Sequence, residues 1–422
     1  MVLFLVPDVL DCQRLPTRMS AIRQAGMPAL PATSTCNFNL QPSLPDCRLH
    51  LGNQYSRVLT LPKTMRAVVY RGPNDLRLET VPVPRIGPHE LLVKVAVCGV
   101  CPTDIKKIHY GTVPPPRIFG HETAGTIVRL GARVRRFKMG ERVALHHHVP
   151  CLECHGCRHH AFAQCAQYKR TGITAGFEPA GGGYAEFVRV MPFVLPGVVR
   201  IPARNDFLEG AMLEPVNTVL KAVKRLALLS GDVVLVAGQG PIGLMFTRLL
   251  ALGGMRVLAT DLLQTRLQLA RQFGAKWIWK VSGDAANVES LQKLVSRVTR
   301  KRGLDAALLA VPSDAVLRQA QMLVRGGGQV LLFSHTRRGD VAALDLATIC
   351  VDEKDLIGSY SADFRLQNEV ARLVFSRKLD VRRLITHQFP LEQTAEAVEL
   401  AAHPTAESLK IVVLPEKARA MG

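Results

Sequence analysis

The feature that most constrains this chain is a short apolar run that ends in a glycine turn. Val233–Ala237 is five apolar residues, enough for one buried strand, and leads directly into Gly238-Gln239-Gly240-Pro241-Ile242-Gly243. Helical apolar spacing follows over Ile242–Leu252, and the next strand-like run, Arg256–Thr260, leads into Asp261, 23 residues after the first glycine. A G-x-G-x-x-G hexapeptide between a strand and a helix, with an acid at that distance, marks a dinucleotide-binding βαβ unit. Gly238 permits the tight turn, Gly240 lets the backbone approach a pyrophosphate, and Gly243 lets helix and strand pack closely. Pro241 and Ile242 open the helix whose N-terminus holds phosphates through its N–H groups and dipole. Asp261 accepts hydrogen bonds from ribose hydroxyls.

The surrounding text agrees. Leu304–Val311, Gln329–Phe333 and Asp355–Tyr360 are further buried-strand candidates, and Leu263–Phe273 has helical spacing. Strands alternating with helices predict a parallel sheet. Before about Val216 the pattern differs. Met65–Tyr70, Glu90–Val97, Ala124–Leu130, Arg142–Leu145 and Tyr184–Val190 are short strand-like runs separated by Gly- and Pro-bearing turns. After Ser361 come two helices, Leu366–Ser376 and Leu391–Ala402, and a last strand, Leu409–Leu414.

Six of the ten cysteines crowd between Cys98 and Cys165. Without an export signal, such a cluster reads as metal sites rather than a disulfide framework. Cys151, Cys154, Cys157 and Cys165 have spacing x2, x2, x7. Four thiolates close a tetrahedral shell around a structural zinc, and the seven-residue last gap disfavours the iron–sulfur alternative. A second constellation comprises Cys98-Gly99-Val100-Cys101-Pro102-Thr103-Asp104, Gly120-His121-Glu122 and Glu214-Pro215. A thiolate, an imidazole and a carboxylate leave a fourth position open, which marks a catalytic zinc. By spacing alone, either Cys98 or Cys101 can supply the sulfur.

The ordered set Cys101-Pro-Thr-Asp104, Gly120-His121-Glu122, Gly140-Glu-Arg-Val143, the four-cysteine lobe and the glycine turn resembles the zinc-dependent medium-chain dehydrogenase/reductase family, above all its sorbitol, threonine and polyol dehydrogenase branch. The resemblance covers roughly residues 65–415. It implies an α/β fold in which a Rossmann doubly wound parallel sheet is inserted in a GroES-like, β-rich catalytic domain. The expected division is 65–215 for the catalytic domain with its zinc lobe at about 146–170, 216–355 for the NAD-binding domain, 356–415 for the rest of the catalytic domain and 416–422 for a tail. It also implies Cys101, His121, Glu122 and Glu214 as catalytic-zinc ligands, directly or through water, with Asp104 orienting the histidine and Thr103 taking the substrate's proton. Cys98 then falls on a position that is not a ligand, and reads as a buried thiol. Arg266 matches a basic position that contacts the adenosine ribose.

Two departures stand out. Lys106 occupies the place where many relatives carry the next relay histidine, and Pro102 replaces a small or polar residue. His146, His147 and His148 precede the lobe, and His147 is the expected pocket histidine, since alternating strand geometry cannot aim all three at one pocket. The expected activity is hydride transfer between a secondary alcohol, polyol or sugar alcohol and NAD, with two zinc ions per chain. The alternatives are an NADPH-preferring aldehyde or ketone reductase and a non-catalytic zinc-binding regulatory protein. The expected partner is a small alcohol or carbonyl compound, and the expected assembly a cytoplasmic homodimer or homotetramer.

A net charge of +20 invites a nucleic-acid reading, but the basic residues are dispersed and aromatics are only 5%, too few for a base-stacking surface. No specific nucleic acid is expected. No membrane is expected either, because the apolar run Val233–Thr247 is short and broken by glycines and a proline. Residues 1–64 hold seven prolines and no glutamate, and read as a disordered extension or an over-called start, with Met65 opening the organised sequence.

Overall fold

Strand formation follows the apolar runs. The computed structural model describes residues 61–146, 149–167, 181–334 and 339–415. The first part carries β1 (Thr64–Gly72), β2 (Asp75–Pro82), β3 (Leu91–Gly99), β4 (Arg117–Ile118), β5 (Glu122–Leu130), β6 (Arg142–Ala144), β7 (Phe187–Val190) and β8 (Val199–Arg200). There follow β9 (Val233–Ala237), β10 (Arg256–Asp261), β11 (Trp277–Lys280), β12 (Leu304–Leu309), β13 (Val324–Leu332) and β14 (Asp355–Gly358), and finally β15 (Ile385–Pro390) and β16 (Lys410–Leu414).

Strands β9 to β14 form one six-stranded sheet, ordered β11-β10-β9-β12-β13-β14, with every pairing parallel. All five residues of β9 and all six of β12 are buried, as expected of central strands covered on both faces. Crossover helices at Pro241–Leu252 and Gln264–Gln272 link β9 to β10 and β10 to β11. The strand order reverses between β9 and β12, and a ligand crevice is expected at that switch point, beyond the carboxyl ends of the strands.

The β-rich part is built differently. A seven-stranded sheet runs β15-β16-β3-β5-β6-β8, with β7 also on β3, and a smaller sheet runs β2-β1-β4. β15 and β16 come from the end of the chain, so the sequence returns to its first sheet after completing the parallel one. One hydrophobic core joins the two sheets: Val97 and Val412 share a cluster with Val234, Leu244 and Val374. Helix Leu213–Val223 buries eight of its eleven residues in this region and carries Glu214 in its first turn. Among the described residues, no helix is long and apolar enough to cross a membrane.

Candidate active site and metal centres

Sheet register assembles the first site. In the antiparallel β3–β5 pair, Gly99 lies opposite Glu122 and Cys98 opposite Thr123. Cys101, just beyond the end of β3, therefore meets His121 and Glu122 at the start of β5. Their donor atoms all lie within 4.8 Å of one another. A side chain at position 99 would not fit, since a Cβ there would sit 1.9 Å from Glu122 Oε2.

Cys101 caps helix Pro102–Tyr110 in an extended conformation, with Pro102 at the first helical position. Proline suits that position because its missing N–H would have no partner there. The Thr103 hydroxyl donates to Cys101 Sγ at 3.2 Å. His121 Nδ1 lies 3.1 Å from Asp104 Oδ1, inside a fully buried pair. With Nδ1 on the carboxylate, Nε2 is the nitrogen a metal takes. Burial opposes an imidazolium, but the Asp104 and Cys101 charges outweigh it and hold His121 well above its ordinary pKa.

Glu122 is buried against the ammonium of Lys410, with which it forms an ion pair. Burial raises the pKa of Glu122 despite Lys410, and the charge of Glu214 adds to the rise. Lys410 Nζ also donates to Val100 O at 2.8 Å. Glu214 lies outside the tight donor group but lines the same cleft, and burial raises its pKa against the pull of His121 and His146. Three different donors, two further carboxylates and a demand for positive charge fit one divalent zinc with an open position. Cys98 is not among the donors. It is fully buried, accepts from Thr123 Oγ1 at 3.4 Å, and burial pushes its thiol up to about 12.

The second site is closed. Cys154 and Cys157 sulfurs lie 3.5 Å apart, Cys151 and Cys165 3.6 Å, and Cys151 and Cys157 3.9 Å. Zinc–sulfur bonds of about 2.3 Å in a tetrahedron give edges of about 3.8 Å, whereas a disulfide needs about 2.05 Å. The four sulfurs therefore fit zinc. Burial, with the crowding thiols, pushes Cys157 up to about 12. The lobe docks through Phe162, whose ring centroid is 5.7 Å from that of Phe364 and lies under the Arg365 guanidinium at 4.6 Å.

At the dinucleotide turn, Gly238 has φ +89°, and a Cβ on Gly243 would lie 1.7 Å from Gly238 O. Gly240, by contrast, faces open space, with nothing within 4 Å of a Cβ. Pro241 and Ile242 begin the helix and line the cleft. Both oxygens of Asp261 are fixed by backbone N–H groups, Gln239 N at 2.6 Å and Leu263 N at 2.9 Å. A carboxylate has about four acceptor sites, so capacity for ribose hydroxyls remains. Arg266 does not pair with Asp261. Its guanidinium donates instead to Thr405 O at 3.2 Å and Ser408 O at 3.3 Å, because its long side chain reaches acceptors on the segment before β16. Lys106 lines the cleft, where burial lowers its pKa and Asp340 opposes the shift. His147 lies outside the described residues.

Sequence reasoning missed Lys410. The available signal was a single lysine opening the apolar strand Lys410-Ile-Val-Val-Leu. It missed Tyr360 too, which lines the cleft and feels the charges of His121 and Cys101.

Comparison with known proteins places the chain among dehydrogenases. The alcohol dehydrogenase GroES-like domain family matches residues 87–202 and the zinc-binding dehydrogenase family residues 241–376. Sorbitol dehydrogenase of Bacillus subtilis (strain 168) is 31% identical over 370 residues, covering 85% of this chain and 99% of the relative. Human sorbitol dehydrogenase is 30% identical over 347 residues, covering 79% and 91%. Among solved structures, a zinc-binding dehydrogenase of Sinorhizobium meliloti 1021 bound to NADP superposes with TM-score 0.75 at 27% identity, covering 84% of this chain and 100% of that one. The 2R,3R-butanediol dehydrogenase of Bacillus subtilis does so with TM-score 0.73 at 26% identity, covering 83% and 100%.

Proposed function

This chain belongs to the zinc-binding alcohol dehydrogenase family, the medium-chain dehydrogenases, and from that premise we propose that it oxidises a secondary alcohol, polyol or sugar alcohol with NAD. The observation that carries the proposal is the convergence of Cys101, His121 and Glu122 within 4.8 Å at a cleft of about 660 Å³ that also borders Gly240 and Pro241. That volume is in the range of small-ligand sites. When bound there, zinc polarises an alcohol or carbonyl oxygen and the nicotinamide exchanges hydride with the carbon.

The chain's own residues do the rest. Cys101, His121 and Glu122 would hold the metal, with Glu214, which lines the same cleft, binding it directly or through water. Asp104 fixes the His121 ring through Nδ1. Thr103 Oγ1, which lines the cleft 3.2 Å from Cys101 Sγ, accepts the proton from the substrate hydroxyl. Lys106, next on that helix face, carries the proton path outward; burial lowers its pKa, although Asp340 opposes the shift. Gly238, Gly240, Pro241, Ile242 and Gly243 seat the pyrophosphate, and Asp261 holds the ribose. The four-thiol lobe carries a second zinc that stabilises the fold. The proposal takes 65–215 with 356–415 as the catalytic domain and 216–355 as the cofactor domain.

The test is a panel of alcohols and polyols offered to the protein with NAD and with NADP, following absorbance of the reduced cofactor, with metal content measured alongside. Turnover of a secondary alcohol with NAD and two zinc ions per chain are expected. One zinc per chain and no turnover would make the chain a non-catalytic relative.

A further inference from the structure

We infer that the substrate end of the cleft receives a negatively charged group on the substrate, a carboxylate or a phosphate, and that Arg117 binds it. The inference rests on the dehydrogenase reading above and narrows its substrate class from polyols to acid-bearing polyols: sugar acids or sugar-alcohol phosphates.

The charges around the cleft do not balance. Among the described residues, its lining includes the cations Lys106, Lys107, Arg117, Arg266 and Lys410, but of the carboxylates only Glu122 and Glu214. Lys410 is matched by Glu122. Arg266 is engaged by two carbonyls at the cofactor end. Lys106 is opposed by Asp340, and the charge of Lys107 acts on the Asp104 carboxylate. Arg117 has no such counterweight. Its Nε donates to Pro114 O at 3.0 Å, and its other four N–H groups have no acceptor among the described residues.

Its placement is fixed by the strand. β4 pairs with β1, with Arg117 opposite Tyr70 and Ile118 opposite Val69. Ile118 is packed into the core, so alternation turns Arg117 to the other side, toward the cleft. The chain then runs four residues to His121, so the guanidinium and the metal donors share one short segment. Burial lowers the pKa of Arg117 and no neighbouring charge restores it. A guanidinium stays charged at any working pH, so Arg117 presents a permanent positive charge to the cleft. Its open fork matches a carboxylate or phosphate edge by two parallel hydrogen bonds, a geometry that a neutral hydroxyl does not exploit.

The test compares three probes of one carbon skeleton, D-glucitol, D-gluconate and D-glucitol 6-phosphate, with the zinc-loaded full chain and NAD. At least one acid is expected to exceed the neutral polyol in kcat/KM by about tenfold or more, chiefly through KM. That gap should shrink as ionic strength rises, because salt screens partly exposed charges. Arg117→Met should bring the acid-to-neutral ratio near unity, and Arg117→Lys should keep part of it. Which acid wins separates carboxylate from phosphate. Equal or better use of the neutral polyol than of both acids overturns the inference, as does an unchanged ratio in Arg117→Met. Oxidation of neutral alcohols without acid preference leaves the dehydrogenase reading standing, whereas no oxidation of any alcohol overturns that reading instead. In that case thermal shift decides the inference: stabilisation by gluconate or the phosphate that Arg117→Met abolishes supports it, and no shift, or equal shifts in both proteins, overturns it.

Discussion

In the lobe all four donors are sulfur and come from the stretch Cys151–Cys165, whereas at the cleft sulfur, nitrogen and oxygen come from two strand ends. The lobe sulfurs stand at the corners of a tetrahedron, so no position is left for a substrate. The cleft donors are three and unlike, and they are backed by Asp104, flanked by Lys410 and Glu214, and open to a cavity. Both sites use cysteine, yet the thiols differ. Cys154 and its neighbours lie against one another, and the Cys165 sulfur also accepts from the Cys151 N–H at 3.4 Å, while Cys101 accepts a hydrogen bond from the Thr103 hydroxyl and lies beside a histidine with its own carboxylate. The lesson is that donor number and outer partners, rather than cysteine itself, separate a site that stabilises from one that reacts.

The sharpest way to break the comparison is to remove one sulfur from each site. Cys101→Ala should lower turnover by about a thousandfold or more, the scale of losing several kcal/mol of Lewis-acid assistance, while keeping the fold and one zinc. Cys154→Ala should mainly destabilise, because it opens a closed shell whose metal binding is coupled to folding. Metal analysis and melting curves check both, and equal loss of folding in the two variants would erase the distinction. Next in size is Thr103→Val, which keeps the shape and removes the hydroxyl. It should cost about a hundredfold in kcat, the scale of one positioned proton acceptor, with Thr103→Ser largely restoring it. A Thr103→Val protein with full kcat would remove that hydroxyl from the proton path. Asp104→Asn should lower zinc affinity or activity at the cleft by about 10–100-fold and leave the lobe untouched, since the four lobe thiols have no carboxylate in their donor group. Competition with a chelator should then release one zinc early and one late, and a single uniform release would contradict it.

The two sites also differ in how far they can be read from sequence. The lobe's x2, x2, x7 spacing is local, and local geometry brings the four sulfurs together. The parallel sheet was equally legible because β9 is an unbroken apolar run and β12 is interrupted only by Asp305. At the cleft, spacing could not choose between Cys98 and Cys101. The choice is made by register: Cys98 lies within β3 opposite Thr123 and is sealed in the core, while Cys101 has left the strand. Lys410 lies 288 residues along the chain from Glu122 and reaches it only because β16 pairs antiparallel with β3. β2 escaped the sequence reading although Asp75-Leu-Arg-Leu-Glu79 alternates charged and apolar residues: the strand covers β1 with little burial of its own, so only two leucines carry the pattern before Thr80. The helix Pro102–Tyr110 escaped because it is short and three of its nine residues are Lys or His, leaving a narrow apolar stripe.

The smallest expected effect lies away from both metals, at the cofactor. Asp261 is fixed by the Gln239 and Leu263 N–H groups, so its charge sits in one place at the end of β10. A 2′-phosphate on the adenosine ribose would be brought against that carboxylate, and like charges at short range repel strongly where water is scarce. Arg266 is the residue that could cancel the repulsion, but its guanidinium is held by the Thr405 and Ser408 carbonyls, and reaching a phosphate would cost those two hydrogen bonds. The fixed acid should therefore outweigh the diverted base. NAD is expected to be preferred over NADP by at least about tenfold in kcat/KM, roughly 1.4 kcal/mol. Asp261→Ser should narrow that ratio from both sides. It removes the charge that repels NADP, and it weakens NAD because one hydroxyl cannot replace two backbone-fixed oxygens. Arg266→Ala should leave the preference in place, since the base is not the selector. Steady-state kinetics with both cofactors decide the matter: equal or better use of NADP by the unmodified protein would show that Arg266 leaves its carbonyls and governs the choice, and Arg266→Ala would then be the variant that restores NAD.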